Sequence, residues 1–376
     1  MRVGSKDFAQ DYWDERPLLS TSVSDVGFAD LFSEEAVDEL VSRRGLRTPF
    51  MRVAKEGQVV PGTRFTGSGG IGASIADQVD DEKVMQLFTE GSTLVLQGLH
   101  RVWPPLVDFT SQLSADLGHP CQVNAYVTPP QSQGFAAHFD THDVFVLQVS
   151  GEKRWQVWEP VIERPRADQP WTAHKAEVEK RATEDPTIDT VLRPGDALYL
   201  PRGYLHAARA LGGTTVHLTI GIHPLTRSDL MDELLRAVAG APELRRALPI
   251  GHDEHGARGL GHDIDATVRE VVRLLADTDN EQVAEALVRR LAKDTRPAPV
   301  SPLAQAEALA ELDVDSSVIR RPQVRFLRHA HADGIQLELR NRTVDVATED
   351  AETLDLLLDG EPHVVASLPG RSPEGA

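Results

Sequence analysis

Two short motifs constrain this chain more than any other feature of its sequence. The first contains His138 and Asp140 and is followed by a β-rich apolar segment, residues 144–149. Side chains two residues apart on an extended strand point to the same side, so we expect the imidazole of His138 beside the carboxylate of Asp140. The second motif has the pattern G-x5-P-x-G-x2-H and ends at His206. Together the motifs predict one site built from two distant parts of the chain.

The residue types in these motifs favour a metal site. Two imidazoles and one carboxylate on one face of an octahedral ion form the facial triad of non-haem Fe(II) oxygenases and leave other positions open. His138, Asp140 and His206 are therefore the predicted metal ligands and catalytic residues. The two segments also resemble the two cupin motifs, which meet inside a double-stranded β-helix. A small β-barrel with polar turns is the alternative, but it does not explain why both motifs occur in this order.

A lysine close to the first motif is a candidate for binding an anion. We expect a hairpin turn at Ser150-Gly151 to join the His138 strand to a strand that begins near Lys153. If Lys153 points into the barrel it requires an anion, because an unpaired buried charge is very costly, and a dicarboxylate co-substrate would supply one. The alternative is a solvated turn lysine.

Three more residues are candidates for the same pocket. Tyr126 lies on the preceding strand, where its hydroxyl can donate to the same carboxylate, or it is an ordinary barrel tyrosine. His217 and Thr219 share one face of a late strand, where they either line the co-substrate pocket or pack in the core.

Composition limits the possible partners. The chain has 376 residues and a formal net charge of −19, which disfavours binding to phosphate backbones and favours a basic protein partner. The single cysteine, Cys121, excludes an intrachain disulfide and a cysteine-based zinc site. Without an apolar run of bilayer length or a signal-peptide segment, we expect a cytoplasmic protein with no membrane association.

Hydrophobic periodicity predicts three domains, at 1–225, 226–300 and 301–376. The first domain is the predicted β-barrel. Apolar residues at 3.6-residue spacing predict helices in the second domain. The third domain combines predicted helices with a hairpin at Asp333-Gly334, as in a winged-helix module. A glycine-rich loop at 251–262 carries three histidines, but its glycines disfavour a preformed metal site; these are His252, His255 and His262.

The stretch from Asn124 to Trp155 closely resembles the JmjC ribosomal oxygenases, which are Fe(II)- and 2-oxoglutarate-dependent protein hydroxylases. The resemblance covers roughly residues 1–225. It implies that the predicted triad holds Fe(II) and leaves a position for O2. It also implies that Lys153 and Tyr126 bind the distal carboxylate of 2-oxoglutarate, and that Asn124 helps to line the pocket.

The family resemblance also implies an α+β architecture and a class of substrate. The fold would be a double-stranded β-helix, then a helical dimerisation segment, then a winged-helix-like domain that carries no nucleic acid. The expected activity is hydroxylation of one side chain in a basic ribosomal protein, with histidine preferred and arginine open. Three alternatives stay open, namely a peptide-tailoring oxygenase of secondary metabolism, a non-catalytic cupin-type regulator and a histone-type demethylase. The intact triad and Lys153 argue against the regulator, and the absence of a reader module argues against the demethylase.

Overall fold

The computed structural model of the protein describes residues 3–22, 27–55, 57–132, 135–248, 250 and 260–369. The chain divides into two compact units, Met1–Pro224 and Leu225–Ala376. The second unit contains both segments for which the sequence predicts separate domains. In the described part of the chain, no helix combines the length and apolar character needed to cross a bilayer.

The first unit is organised around an antiparallel sheet. Its nine strands follow the order β1-β10-β8-β11-β7-β6-β2-β3, with β9 also paired to β8, while β4 and β5 form a separate pair. The strands are β1 (Leu18–Ser20), β2 (Met51–Lys55), β3 (Gln58–Val60), β4 (Thr66–Gly67), β5 (Gln78–Val79), β6 (Thr93–Leu96), β7 (Cys121–Thr128), β8 (Asp143–Trp158), β9 (Ile188–Leu192), β10 (Ala197–Leu200) and β11 (Leu205–Ile222).

Helices cover this sheet through apolar side chains. They are α1 (Ser5–Asp11), α2 (Glu34–Arg43), α3 (Asp81–Thr89), α4 (Leu99–Val102), α5 (Pro104–Leu117) and α6 (Lys175–Arg181). Ser33 caps α2 by accepting a hydrogen bond from the Ala36 N–H. Helices α2, α3 and α5 contribute buried leucines to one core with the sheet, and the class of fold is the expected α+β. These leucines are Leu40, Leu87 and Leu106.

Two long strands determine where the site forms. The first part of β8 pairs with β10 and with the end of β11, while its second part pairs with β9 and with the start of β11. The predicted hairpin at Ser150-Gly151 is wrong, because β8 continues through these residues. Gly151 has φ +68°, and a Cβ there would lie 2.3 Å from the Thr214 carbonyl oxygen. The glycine therefore permits a bulge, and Lys153 lies on the strand that follows the first motif directly.

The first motif also differs from its predicted conformation. His138 and Asp140 precede β8 and do not belong to a continuous strand. His138 instead forms an isolated antiparallel bridge with His206, in which each backbone N–H donates to the other residue's carbonyl at 3.2 and 2.8 Å. This bridge brings the two motifs together directly.

The second unit begins with helices and ends with a small sheet. The helices are α7 (Arg227–Ala239), α8 (Gly261–Ala276), α9 (Asn280–Asp294), α10 (Pro302–Ala310) and α11 (Ala351–Leu358). The strands are β12 (Ser317–Val318), β13 (Phe326–His331), β14 (Gly334–Leu339), β15 (Arg342–Ala347) and β16 (His363–Val364). Strands β13, β14 and β15 form an antiparallel meander, and its first turn is at the predicted Asp333-Gly334 hairpin.

Helix α7 is capped by Thr226, which forms a capping box with Asp229. One detail of this unit differs from the sequence prediction. His262 lies in the first turn of α8 and not in a loop. His252 and His255 lie outside the described residues.

Candidate metal centre

Three side chains converge where the two motifs meet. One potential ligand atom from each of His138, Asp140 and His206 lies within 4.8 Å of the others. The His206 Nε2 atom is 3.9 Å from Asp140 Oδ2, and the two imidazole ring centroids are 4.5 Å apart. His206 is buried, while the other two residues are half-buried. The arrangement therefore has one protected side and one side open to a ligand.

Backbone carbonyls fix the orientation of both imidazoles. The Nδ1 atom of His138 is 2.8 Å from the Ala136 carbonyl oxygen, and Nδ1 of His206 is 3.1 Å from that of Tyr204. A carbonyl oxygen can only accept, so each Nδ1 carries the proton and each Nε2 keeps a free lone pair. A carbonyl partner of this kind is the usual support for a metal-binding histidine. The donor set thus fits a divalent ion such as Fe(II).

The protonation states suit the same ion. Burial alone raises the pKa of Asp140, but the nearby imidazoles of His138, His142 and His206 hold that pKa below its usual value. Burial lowers the pKa of His206 to about 4. Near neutral pH, the site therefore offers a carboxylate and a neutral imidazole, which are the forms that bind metals.

Lys153 lies in the same cavity as the three ligands. Its side chain is only 3% exposed, and its ammonium group donates to Thr128 Oγ1 at 3.0 Å and contacts His217 Nδ1 at 3.4 Å. Among the described residues, no carboxylate lies within 4 Å of this ammonium group. Burial consequently lowers the pKa of Lys153 to about 7. The solvated turn lysine considered in the sequence analysis is wrong, because Lys153 is buried in mid-strand.

The remaining predicted pocket residues lie around this lysine. Tyr126, His217 and Thr219 line the cavity, and the Tyr126 and His217 rings stack with centroids 4.9 Å apart. Burial raises the pKa of Tyr126 to about 12, so its hydroxyl stays a hydrogen-bond donor. Asn124 pairs with Thr219 across the sheet, but its side-chain oxygen accepts from the Gly98 N–H at 3.1 Å, and it is not among the cavity-lining residues.

Comparison with known proteins adds to this geometry. Residues 107–230 match a family model described as the JmjC domain. A bifunctional lysine-specific demethylase and histidyl-hydroxylase NO66 of Drosophila persimilis is 28% identical over 251 residues, covering 65% of this chain and 34% of that protein. Ribosomal oxygenase 1 of Rattus norvegicus is 34% identical over 170 residues, covering 43% of this chain and 28% of its own length. Residues 107–230 therefore form a JmjC domain, and the chain is similar to ribosomal oxygenases over part of its length.

A solved structure supports the fold of this JmjC protein. YcfD, a ribosomal oxygenase from Escherichia coli in complex with cobalt and 2-oxoglutarate, matches with a TM-score of 0.55 and 19% identity, covering 98% of this chain and 92% of that one. At this identity the likeness is one of fold. The chain spans about a quarter to a half of the length of the first curated relatives that it matches.

Two residues around Lys153 and His206 were absent from the predicted site. Thr128 accepts the hydrogen bond of Lys153, and Trp155 lines the cavity beside His206, with ring centroids 6.0 Å apart. The two-residue period could have indicated both, since Thr128 follows Tyr126 and Trp155 follows Lys153 at that spacing. His142, two residues beyond Asp140, instead packs against the ring of His223 at 5.0 Å.

Proposed function

We propose that this protein is an Fe(II)- and 2-oxoglutarate-dependent oxygenase that hydroxylates one side chain of a basic ribosomal protein, with histidine as the preferred target. The cofactor is Fe(II), and the co-substrates are 2-oxoglutarate and O2. When bound, the iron would supply the chemistry that hydroxylates a C–H bond while 2-oxoglutarate and O2 are consumed and succinate and CO2 are released. One relative named above is a bifunctional lysine-specific demethylase and histidyl-hydroxylase, and another is a ribosomal oxygenase. Both names support the oxygenase class, and the histidyl-hydroxylase name favours histidine as the target.

The observation that carries the proposal is the buried ammonium of Lys153 in the cavity that holds the triad. An isolated buried cation is unfavourable, so a partner of negative charge is required. The distal carboxylate of 2-oxoglutarate supplies that charge, and the hydroxyls of Tyr126 and Thr128 are the neighbouring polar groups. His138, Asp140 and His206 would hold the iron on one side and leave its other side open.

The protein's own part in the reaction is to bind, orient and shield. Lys153 neutralises the dicarboxylate, while the carbonyl-anchored imidazoles keep their Nε2 atoms directed at the metal. Phe135 and Trp155 line the cavity beside the ligands, and their rings exclude water from the reacting atoms. Asn124 lies outside this lining and pairs with the cavity residue Thr219 across the sheet.

The proposed substrate follows from charge as well as from the relatives. A net charge of −19 attracts proteins rich in lysine and arginine and raises their encounter rate. Arginine remains the second candidate for the modified side chain. A tailoring oxygenase of secondary metabolism is not favoured, because the relatives and the solved structure named above carry ribosomal oxygenase or histidyl-hydroxylase names.

Mass spectrometry of ribosomal proteins tests this proposal. We expect one ribosomal protein to lose the mass of one oxygen atom in cells without the gene, and purified enzyme with Fe(II) and 2-oxoglutarate to restore it. The Asp140→Ala variant is the matched control and should restore nothing. If all ribosomal proteins keep their masses while a secreted peptide loses a hydroxyl, the substrate class is wrong.

We also propose a homodimer formed by residues 226–300, a winged-helix-like module at 301–376 that does not bind nucleic acid, and a cytoplasmic location. Exposed apolar side chains on α7 and α8 support the dimer. They are Leu230, Met231, Leu235, Ile264, Val268 and Val272, each at least 43% exposed. The meander of β13, β14 and β15, packed with α11, supports the module.

A further inference from the structure

A buried arginine lies in the turn that leads to the third metal ligand. Arg202 is four residues before His206, and its side chain is 8% exposed. Its Nη1 atom is 3.3 Å from Oδ1 of Asp143, a fully buried carboxylate, and 2.5 Å from Oδ1 of Asp14. The Arg202 backbone N–H also donates to Asp143 at 3.0 Å. The turn is therefore held both by the backbone and by the side chain of Arg202.

The second carboxylate comes from a distant part of the sequence. Asp14 follows α1, 188 residues before Arg202. It has φ +61°, a conformation that is uncommon outside glycine, and its N–H donates to the Tyr199 hydroxyl at 3.0 Å. The Tyr199 hydroxyl in turn donates to Asp143 at 3.0 Å. An unfavourable backbone conformation persists only where the surrounding structure fixes it. Here the contacts of Asp14 fix its backbone and hold its carboxylate against Arg202.

A second arginine completes a chain of alternating charges. Arg164 donates from Nε to Asp14 Oδ2 at 2.9 Å and to the Asp14 carbonyl oxygen at 3.2 Å. Its own loop lies against the turn, because a Cβ at Gly203 would be 2.6 Å from the Ile162 carbonyl oxygen. The order of charges is thus Arg164, Asp14, Arg202, Asp143.

The same turn contacts the ligand segment through the main chain. The Gly203 N–H donates to the Asp140 carbonyl oxygen at 3.0 Å, and His206 and His138 exchange two backbone hydrogen bonds. Displacement of the turn would therefore move Asp140 and His206 relative to each other. None of the four charged residues lines the cavity, so their effect on a metal must pass through this turn.

We propose that Asp14 is a positioning residue, through which the N-terminal segment fixes the separation of the metal ligands by holding Arg202. The inference rests on the proposed metal site. Aromatic contacts attach the same segment to the sheet, since the Phe8 and Trp13 rings lie 4.9 and 6.1 Å from that of Tyr199. The aromatic residues attach the segment, while Asp14 transmits its position to the ligands.

Mn(II) binding to the full chain tests this role without any turnover. Partners that support metal ligands typically contribute about 10–100-fold to metal affinity, so Asp14→Asn is expected to weaken Mn(II) binding about tenfold, as measured by the electron paramagnetic resonance of free Mn(II). The visible spectrum of bound Co(II) should shift as well, because ligand geometry changes. Asp189→Asn is the matched control, since it removes a carboxylate of similar exposure from another arginine pair, with Arg154 at 2.7 Å, on β9. Its Mn(II) affinity should equal that of the wild type.

The outcomes separate this role from general stability. A lower melting temperature for Asp14→Asn with unchanged Mn(II) affinity and an unchanged Co(II) spectrum would overturn the inference. If Asp14→Asn does not fold, Arg164→Gln replaces it, with a smaller loss of affinity expected and unchanged affinity as the contradicting result. If Asp140→Ala binds Mn(II) as well as the wild type, the metal site itself is misassigned, which is a separate failure.

Discussion

Binding of 2-oxoglutarate is expected to take up a proton, because Lys153 is buried and no carboxylate of the described residues lies within 4 Å of its ammonium group. Burial lowers its pKa to about 7 in the co-substrate-free protein. At pH 8 only about one tenth of the molecules then carry the ammonium form. A bound carboxylate favours the charged form and raises the pKa again. Each binding event at pH 8 should therefore take up about 0.9 proton.

The same linkage sets the pH dependence of affinity. The dicarboxylate binds the protonated lysine, so affinity falls as pH rises above 7 and the lysine loses its proton. The expected loss approaches about tenfold, or about 1.4 kcal/mol, for each pH unit between pH 7 and the pKa of the bound form. Below pH 7 the lysine is already charged, and this contribution levels off.

Calorimetric titration of 2-oxoglutarate into the Mn(II)-loaded protein without O2 measures both quantities. Proton uptake is obtained at pH 8 from two buffers of different ionisation enthalpy. Lys153→Arg is the matched control, since its guanidinium remains charged throughout and should abolish both the uptake and the slope. Absence of proton uptake by the wild type, or equal uptake by the arginine variant, would refute the argument.

Three further results are expected. Asp140→Ala should lose Fe(II)-dependent turnover of 2-oxoglutarate, measured as succinate, because it removes the only carboxylate of the predicted triad; wild-type turnover would contradict the assignment. Lys153→Met should stabilise the co-substrate-free protein by about 1–4 kcal/mol in urea unfolding while abolishing co-substrate binding. The pH dependence of this stability difference has a definite sign. Folding lowers the pKa of Lys153 from 10.5 to about 7, so between these pH values the unfolded wild-type chain binds more protons than the folded one. This lysine should therefore make the wild type more stable as pH rises from 7 to 10.5, and the methionine variant should lack this contribution. Light scattering at micromolar concentration should give a dimer for the wild type and a monomer for the double variant Leu230→Glu, Val268→Glu; a wild-type monomer would exclude the proposed interface.

The convergence of His138, Asp140 and His206 could be predicted because the two motifs occur together and in a fixed order, whereas the sequence left Lys153 open between a buried position and a solvated turn. The Ser150-Gly151 hairpin was wrong because a glycine at positive φ serves a turn and a bulge equally well, and only the approach of the Thr214 carbonyl decides between them. The contact between Asp14 and Arg202 could not be predicted, because it joins residues 188 positions apart and neither belongs to a periodic pattern.

The carbonyls that hold the two imidazoles have a consequence for how the site tolerates change. Each carbonyl belongs to the residue two positions before its histidine, Ala136 or Tyr204. Every amino acid has this oxygen, so substitutions at either position leave the anchoring atom in place as long as the backbone keeps its path. The orientation of both histidines is thus encoded in main-chain geometry, and the neighbouring side chains are free to diverge toward different substrates.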